Sequence, residues 1–324
     1  MNSMPALRNR YRFIDRAPAV SDACSDILAG LSQPRKCISP RFFYDDTGSA
    51  LFEEITRQPE YYPTRTERQL LHAHAGDIAA ALPSDCTLLE PGAGSCEKVR
   101  LLLDDIRPAC YVPMDIAGGF LCQAADSLCR EYPWLPVTAI AAEFNQFSAV
   151  DEAVPARNRV VFYPGSTLGN FSPQAATTFL SGIRTVLGED GHLLIGVDMH
   201  KDADVLNAAY NDRAGITARF NLNALAHINR VAQADFDLDD FEHLAFYNGD
   251  QRRIEMHLRC RRAHRARCAG QHLDFAAGET IHTEYSHKYT VASFKQLVKE
   301  AGLAVTRQWQ DDKGWFSVFL CQPA

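Results

Sequence analysis

Two glycines and one acid carry the first chemical signal. Gly92 and Gly94 interrupt the stretch LLEPGAGSCEKVRLLL (88–103), which starts apolar and resumes with an apolar stripe at Val99, Leu102 and Leu103. That is the pattern of a buried strand, a tight turn and a helix start. Glycine lets the turn adopt positive φ and lets a ligand approach the backbone. The helix start offers free N–H groups and a positive dipole end to that ligand. About 20 residues on, the strand-like stretch ACYVPMD (109–115) ends in Asp115, and an acid there can accept hydrogen bonds from both ribose hydroxyls of a nucleotide.

The run lacks the third glycine of the dinucleotide fingerprint, so a nicotinamide cofactor is not indicated. Taken alone, the glycines also fit a β–turn–α connection with no ligand. With the acid, a nucleotide-like cofactor is favoured, and S-adenosylmethionine fits because a sulfonium compound has no pyrophosphate to cradle. A second signal lies far downstream in His282-Thr283-Glu284-Tyr285-Ser286. Read as extended chain, its period of two puts Glu284 and Ser286 on one face. A solvated strand end is the competing reading of that pair.

The elements that must position these groups alternate as in a doubly wound sheet. Strands are expected at Thr87–Pro91, Ala109–Met114, Val137–Ala141, Arg159–Tyr163 and His192–Met199, with helices at Glu97–Ile106, Gly119–Glu131 and Pro173–Leu187. Ligands of such sheets bind beyond the carboxyl ends of the strands, where Gly92, Asp115, Glu143 and Asn170 all fall. Upstream, Ser49 is expected to cap a helix over Ala50–Arg57. Thr64-Arg65-Thr66-Glu67 reads as a capping box for a helix from Arg65 to about Leu82. Residues 1–40 are expected to wrap the surface.

Residues 200–290 break the rhythm. Lys201 to about Leu244 reads as helical, with turns at Gly215 and Asp235–Asp239, and Gln251–Ala263 alternates as a half-buried strand with Met256 on the apolar face. After a helix over Val291–Ala301, Ala304–Trp309 and Trp315–Cys321 form a hairpin. A parallel α/β sheet closed by an antiparallel hairpin is the class I S-adenosylmethionine-dependent methyltransferase pattern. The expected organisation is therefore an N-terminal segment, 1–80, contributing to a substrate lobe; a methyltransferase domain of 81–199 and 287–324; and an inserted substrate lobe of 200–286.

Composition narrows the classes. Of 324 residues 46% are apolar, enough for a large core, and the formal net charge is −7, which argues against nucleic-acid binding. The ten cysteines are scattered without a CxxC pair, giving no support to a metal site. The N-terminus lacks the apolar core of a signal peptide, and no run approaches the roughly 18 apolar residues of a membrane span. A cytoplasmic protein, monomeric and without a membrane partner, is expected.

Taken together, FYDDTGSALFEEITRQPEYYPTRTE, GAGSCEKVRLLLD, PGSTLGNF, AYNDRAGITARFNLNALAHINRVAQADFDLDDFEH, RIEMHL and TEYSHKY resemble the L-histidine Nα-methyltransferases of ergothioneine biosynthesis, over most of the chain from about Arg41 onward. The resemblance implies trimethylation of the α-amino group of histidine to hercynine. It further implies that Gly92, Gly94 and Lys98 line the methionine part of the cofactor, that Asp115 holds its ribose, and that Ala142 and Glu143 flank its adenine. Tyr61, Asn170 and Tyr210 would grip the substrate's carboxylate and amino group, with Tyr44 near the reacting centre. Glu284 and Ser286 would hydrogen-bond the imidazole beside Met256. An imidazole presents two nitrogens, so two polar partners suit it. Read without the resemblance, Met256 is equally a core residue, Lys98 a solvated charge and Asn170 a turn former. The other readings are methylation of a different amine, such as tryptophan or a partially methylated histidine, and a non-catalytic ligand-binding homologue.

Overall fold

Strands that are buried throughout and mostly apolar, such as Val137–Ala141 and Arg159–Tyr163, are what a parallel sheet covered on both faces requires. The structure, a computed structural model, describes residues 11–16, 20–142, 150, 154 and 157–324. The chain divides into two units. The first takes its described residues from Met1–Ala17, Pro63–His200 and Lys288–Ala324, the second from Pro18–Tyr62 and Lys201–His287.

The first unit is built on β1 (Tyr11–Asp15), β2 (Thr87–Pro91), β3 (Cys110–Asp115), β4 (Val137–Ala141), β5 (Arg159–Tyr163), β6 (His192–Asp198), β12 (Leu303–Gln310) and β13 (Phe316–Pro323). Their order across the sheet is β1-β4-β3-β2-β5-β6-β13-β12. β1 to β6 run parallel, β13 pairs antiparallel with β6, and β12 pairs antiparallel with β13, so β13 alone runs against the others. Neighbouring residues of one strand feed opposite cores, as a pleat demands. Leu88 joins the side holding Leu102, Leu103, Leu121 and Leu128, whereas Leu89 joins the side holding Leu180, Ile183, Phe294 and Val298. The covering helices are α3 (Tyr62–Ala73), α4 (Ala75–Ala80), α5 (Arg100–Ile106), α6 (Gly118–Glu131), α7 (Pro173–Leu187) and α10 (Val291–Glu300). A central parallel sheet ending in an antiparallel hairpin is the class I methyltransferase architecture.

The second unit holds a three-stranded antiparallel sheet, β11-β8-β7, and a two-stranded hairpin, β10-β9. The strands are β7 (Phe241–Asn248), β8 (Arg253–Cys260), β9 (His264–Cys268), β10 (Gln271–Phe275) and β11 (Thr280–His287). Helices α1 (Val20–Leu31), α2 (Asp46–Thr56), α8 (Ala203–Ala209) and α9 (Ile216–Val231) accompany them. One core joins Ile27, Leu31, Phe42, Leu225, Ile228, Phe241, Leu258, Phe275 and Ile281.

Several local expectations are corrected. Residues 1–40 do not merely wrap the surface: β1 pairs with β4, and α1 sends Ile27 and Leu31 into the core. Helix α2 starts at Asp46, not Ala50, because Asp45 is the residue whose side chain accepts the Gly48 N–H, at 2.7 Å. The helix expected to reach Leu82 breaks at His74, beside Gly76, a weak helix former. Its capping box does not form in the expected way, because Glu67 turns inward, as described below. The chain turns at Gly215 and again over Asp235–Asp239 as expected, but Phe241–Leu244 is strand and not helix. Asn229 clasps Phe236 through both backbone groups, at 2.8 and 2.9 Å, Gln233 takes a φ of 48°, and the chain leaves α9 to enter β7.

Candidate functional site

In the first unit the glycine turn is tied to the neighbouring strand. The N–H groups of Gly92 and Ala93 both donate to the Met114 carbonyl, at 2.8 and 2.9 Å. Gly92 and Gly94 have φ of 72° and 52°. A Cβ built at either glycine meets nothing within 4 Å, so the turn presents bare backbone to open space. The two carboxylate oxygens of Asp115 accept the N–H groups of Gly94 and Ala117, each at 2.9 Å. Burial raises the pKa of Asp115 against the lowering effect of those N–H groups. Ala142 is fully buried, and its N–H donates to the Asp115 carbonyl at 3.0 Å. Glu143 lies outside the described residues.

Lys98 is not a solvated charge. Its Nζ lies 2.6 Å from Glu67 Oε2, and the Glu67 side chain is only 1% exposed. Both Glu67 oxygens also accept the Gly165 N–H, at 2.8 and 3.0 Å. Gly165, the second residue of the loop after β5, has a φ of 87° and is followed by Ser166 at 57°. That loop closes in a 3-10 turn over Thr167–Asn170, which is where Asn170 is placed. Ser166 Oγ accepts the Asp198 N–H at the end of β6, at 2.9 Å. Asp198 in turn pairs with Lys288 at 2.7 Å, both side chains 1% exposed. Sequence reasoning missed these ion pairs: Glu67 was absorbed into a capping-box pattern, and nothing in local spacing links residue 67 to 98 or 198 to 288.

Glu90, on β2 just before the turn, is buried and accepts a short hydrogen bond from the Tyr111 hydroxyl. Burial pushes its carboxyl up to about 8, against the lowering effect of Tyr111. Folded protein therefore keeps a proton on Glu90 that unfolded chain has released, from the ordinary carboxylate range up to about 8. Its contribution to stability is full at acid pH and declines as pH rises through that window, by about 1.4 kcal/mol per pH unit. Urea unfolding from about pH 5.5 to 7.5 should show a flatter pH dependence in Glu90→Gln, which cannot ionise. Parallel curves for variant and parent would count against the buried, protonated carboxyl.

In the second unit β8 and β11 pair with Glu284 opposite Met256 and Ser286 opposite Ile254. Directly opposed residues share a face, so Met256, Glu284 and Ser286 lie together, all buried. A register shift between His282 and Glu284 adds one residue, a β-bulge. Ile281, opposite Leu258, is therefore on this face too, while His282, opposite His257, is on the other. Tyr210, at the end of α8, donates its hydroxyl to Ser286 Oγ at 2.8 Å. The Tyr61 and Tyr210 rings meet edge-on at 6.2 Å, Phe52 meets Tyr61 at 6.4 Å, and Tyr44 meets Phe52 at 6.0 Å. An aromatic chain thus runs from Tyr44 through Phe52 and Tyr61 to the Tyr210–Ser286 hydrogen bond. Phe52 had no signal in the sequence beyond its helix.

The two clusters are of distinct chemistry: bare backbone with a carboxylate and an ammonium in one unit, and tyrosine faces beside a buried carboxylate and hydroxyl in the other. A family model described as "Histidine-specific methyltransferase, SAM-dependent" matches residues 23–323. The chain belongs to this histidine-specific methyltransferase family. Among curated members and relatives, a histidine N-alpha-methyltransferase of Mycolicibacterium smegmatis is 43% identical over 301 residues, covering 91% of this chain and 93% of that one. The histidine N-alpha-methyltransferase of Mycobacterium tuberculosis is 40% identical with the same coverage. Ergothioneine biosynthesis protein 1 of Neurospora crassa is 31% identical over 288 residues, 82% of this chain and 31% of that larger protein. Like the family, the chain is a methyltransferase that depends on S-adenosylmethionine. Among its described residues no helix is long and apolar enough to cross a membrane.

Proposed function

We propose that this protein methylates the α-amino group of L-histidine three times, yielding hercynine, as a step of ergothioneine biosynthesis. The observation that supports it most is the burial of Glu284, Ser286 and Met256 on one sheet face with Tyr210 bonded to Ser286. A buried carboxylate and a hydroxyl beside a thioether suit a ring with two polar nitrogens, whereas an indole has one donor and would leave the carboxylate poorly used.

On this reading Gly92, Gly94, Lys98 and Asp115 hold S-adenosylmethionine, with Ala142 and Glu143 at its adenine. The open face over both glycines and the combination of an acid with one ammonium suit a ligand that has ribose hydroxyls, a sulfonium and a carboxylate. When bound, that compound supplies an electrophilic methyl group. The protein's own residues then position the amine, since attack on a methyl group gains most from orientation. Tyr61, Asn170 and Tyr210 would hold the amino and carboxylate groups, with Tyr44 close to the reacting nitrogen. Each methylation removes a donor and leaves a bulkier cation, which tyrosine faces tolerate. The substrate is a free small molecule, and the protein is proposed to act in the cytoplasm as a monomer.

The test is mass spectrometry of the product formed from histidine and S-adenosylmethionine, with tryptophan and mono- and dimethylated histidine as alternative substrates. Trimethylated histidine as the dominant product is expected. A higher kcat/KM on tryptophan would replace the substrate, and tight binding of S-adenosylhomocysteine without any methyl transfer would replace the enzyme by a binding protein.

A further inference from the structure

The Glu67 carboxylate is a crossing point that the roles above leave unused. It enters the core of the first unit from α3 and meets three segments of chain at once. To Lys98, one turn beyond the glycine turn, it offers Oε2 at 2.6 Å. To the backbone of the loop after β5 it offers both oxygens, through the Gly165 N–H at 2.8 and 3.0 Å. The third segment, β6, makes room for it. A Cβ on Gly196 would stand 1.9 Å from Glu67 Oε1, so β6 admits this carboxylate only because it carries glycine there. A Cβ on Gly165 would likewise approach Lys98 Nζ to 3.0 Å, at a φ of 87° that itself favours glycine.

Two glycines are therefore spent on one ion pair, and the pair is asymmetric. Glu67 is 1% exposed while Lys98 is 21% exposed. The buried partner is satisfied entirely by its neighbours, and the more open partner has a spherical ammonium with three donors, of which Glu67 engages one. A lysine on a flexible four-carbon stem is a poorly aimed charge unless something fixes it. A short charge-assisted hydrogen bond to a buried, immobile carboxylate does so. The same carboxylate holds Gly165, the second residue of the loop that ends at Asn170.

The geometry points to Glu67 as a positioning residue that aims Lys98 at the carboxylate end of the cofactor and ties the Asn170 loop to the same anchor. This inference rests on the proposed cofactor role of Lys98 and adds the group through which that role is exerted. Glu67 itself touches neither substrate nor cofactor.

A double-mutant cycle tests it, with S-adenosylhomocysteine as the calorimetric probe so that turnover is not needed. Glu67→Gln keeps the shape and an oxygen for the Gly165 N–H but removes the counter-charge. It should weaken binding of the probe roughly tenfold, raise the KM for S-adenosylmethionine by a similar factor and leave kcat within about twofold. Lys98→Met should weaken binding at least as much. In the Lys98→Met background, Glu67→Gln should then have little further effect, since its target is gone. Additive losses in the double variant, or an unchanged affinity in Glu67→Gln, would overturn the inference. Lys98→Met leaves the buried Glu67 carboxylate without its counter-charge, whereas the double variant leaves no buried charge unpaired, so the cycle keeps a folded arm even if either single variant is unstable. In that event, an unchanged affinity in the double variant would itself refute the role. Parent protein that binds the probe but does not methylate histidine would remove the proposed substrate and leave this inference standing. Parent protein that fails to bind the probe would remove both.

Discussion

Replacing Glu284 by alanine should raise the KM for histidine roughly 100-fold while the affinity for S-adenosylhomocysteine stays within about twofold. The magnitude follows from what a charged hydrogen bond in a buried place contributes, roughly 1.5–3 kcal/mol, at about 1.4 kcal/mol per factor of ten. Glu284 is buried and shares its face with Met256 and Ser286, so water cannot easily replace it as a partner for an imidazole. Cofactor binding should survive because the groups proposed to hold the cofactor belong to the other unit's segments. Steady-state kinetics with both substrates varied, alongside calorimetry, separates the two effects. Histidine kinetics unchanged in this variant would remove the imidazole-binding role. A comparable loss of cofactor affinity would instead show a general defect.

The second large effect concerns stability. Lys288→Met should destabilise the protein by about 3–5 kcal/mol, because it removes the ammonium 2.7 Å from a carboxylate that is as deeply buried as the lysine itself. Asp198 ends β6, and its backbone N–H holds Ser166 in the loop leading to Asn170. The loss should therefore be accompanied by a rise in the KM for histidine. Adding Asp198→Asn to Lys288→Met should recover part of the stability, since a neutral pair needs no counter-charge. Urea unfolding of the parent and these two variants measures this. A cost below about 1 kcal/mol for Lys288→Met would mean that the pair is not held in the dry environment described.

Much of the scaffold was legible before any coordinates. The spans Thr87–Pro91, Val137–Ala141, Arg159–Tyr163 and Pro173–Leu187 are those read from apolar runs, helix stops and caps. They were readable because a doubly covered parallel strand is apolar along most of its length, and because Gly188 stops a helix by local chemistry. The hairpin Leu303–Gln310 and Phe316–Pro323 was visible for a similar reason. The strand β7 was not. Its interior is only half buried, so it lacks an apolar run, and the preceding amphipathic helix pattern continues past the point where Asn229 turns the chain.

The sequence by itself determined the alternation of strands and helices, the glycine turn with its acid, and the residue types that suit a sulfonium nucleoside and an imidazole, because these depend on neighbours within one or two turns of chain. Only the tertiary structure decided how those groups are aimed. A strict period of two would have kept His282, Glu284 and Ser286 on one face. The bulge after His282 moves Glu284 and Ser286 to the face of Ile281 and Met256 instead, because one extra residue reverses every side chain beyond it. The partners of Glu67 likewise stand 31, 98 and 129 positions away, at Lys98, Gly165 and Gly196. No local pattern encodes such a meeting; it exists because α3 carries Glu67 to the carboxyl ends of β5 and β6, beside the turn that follows β2.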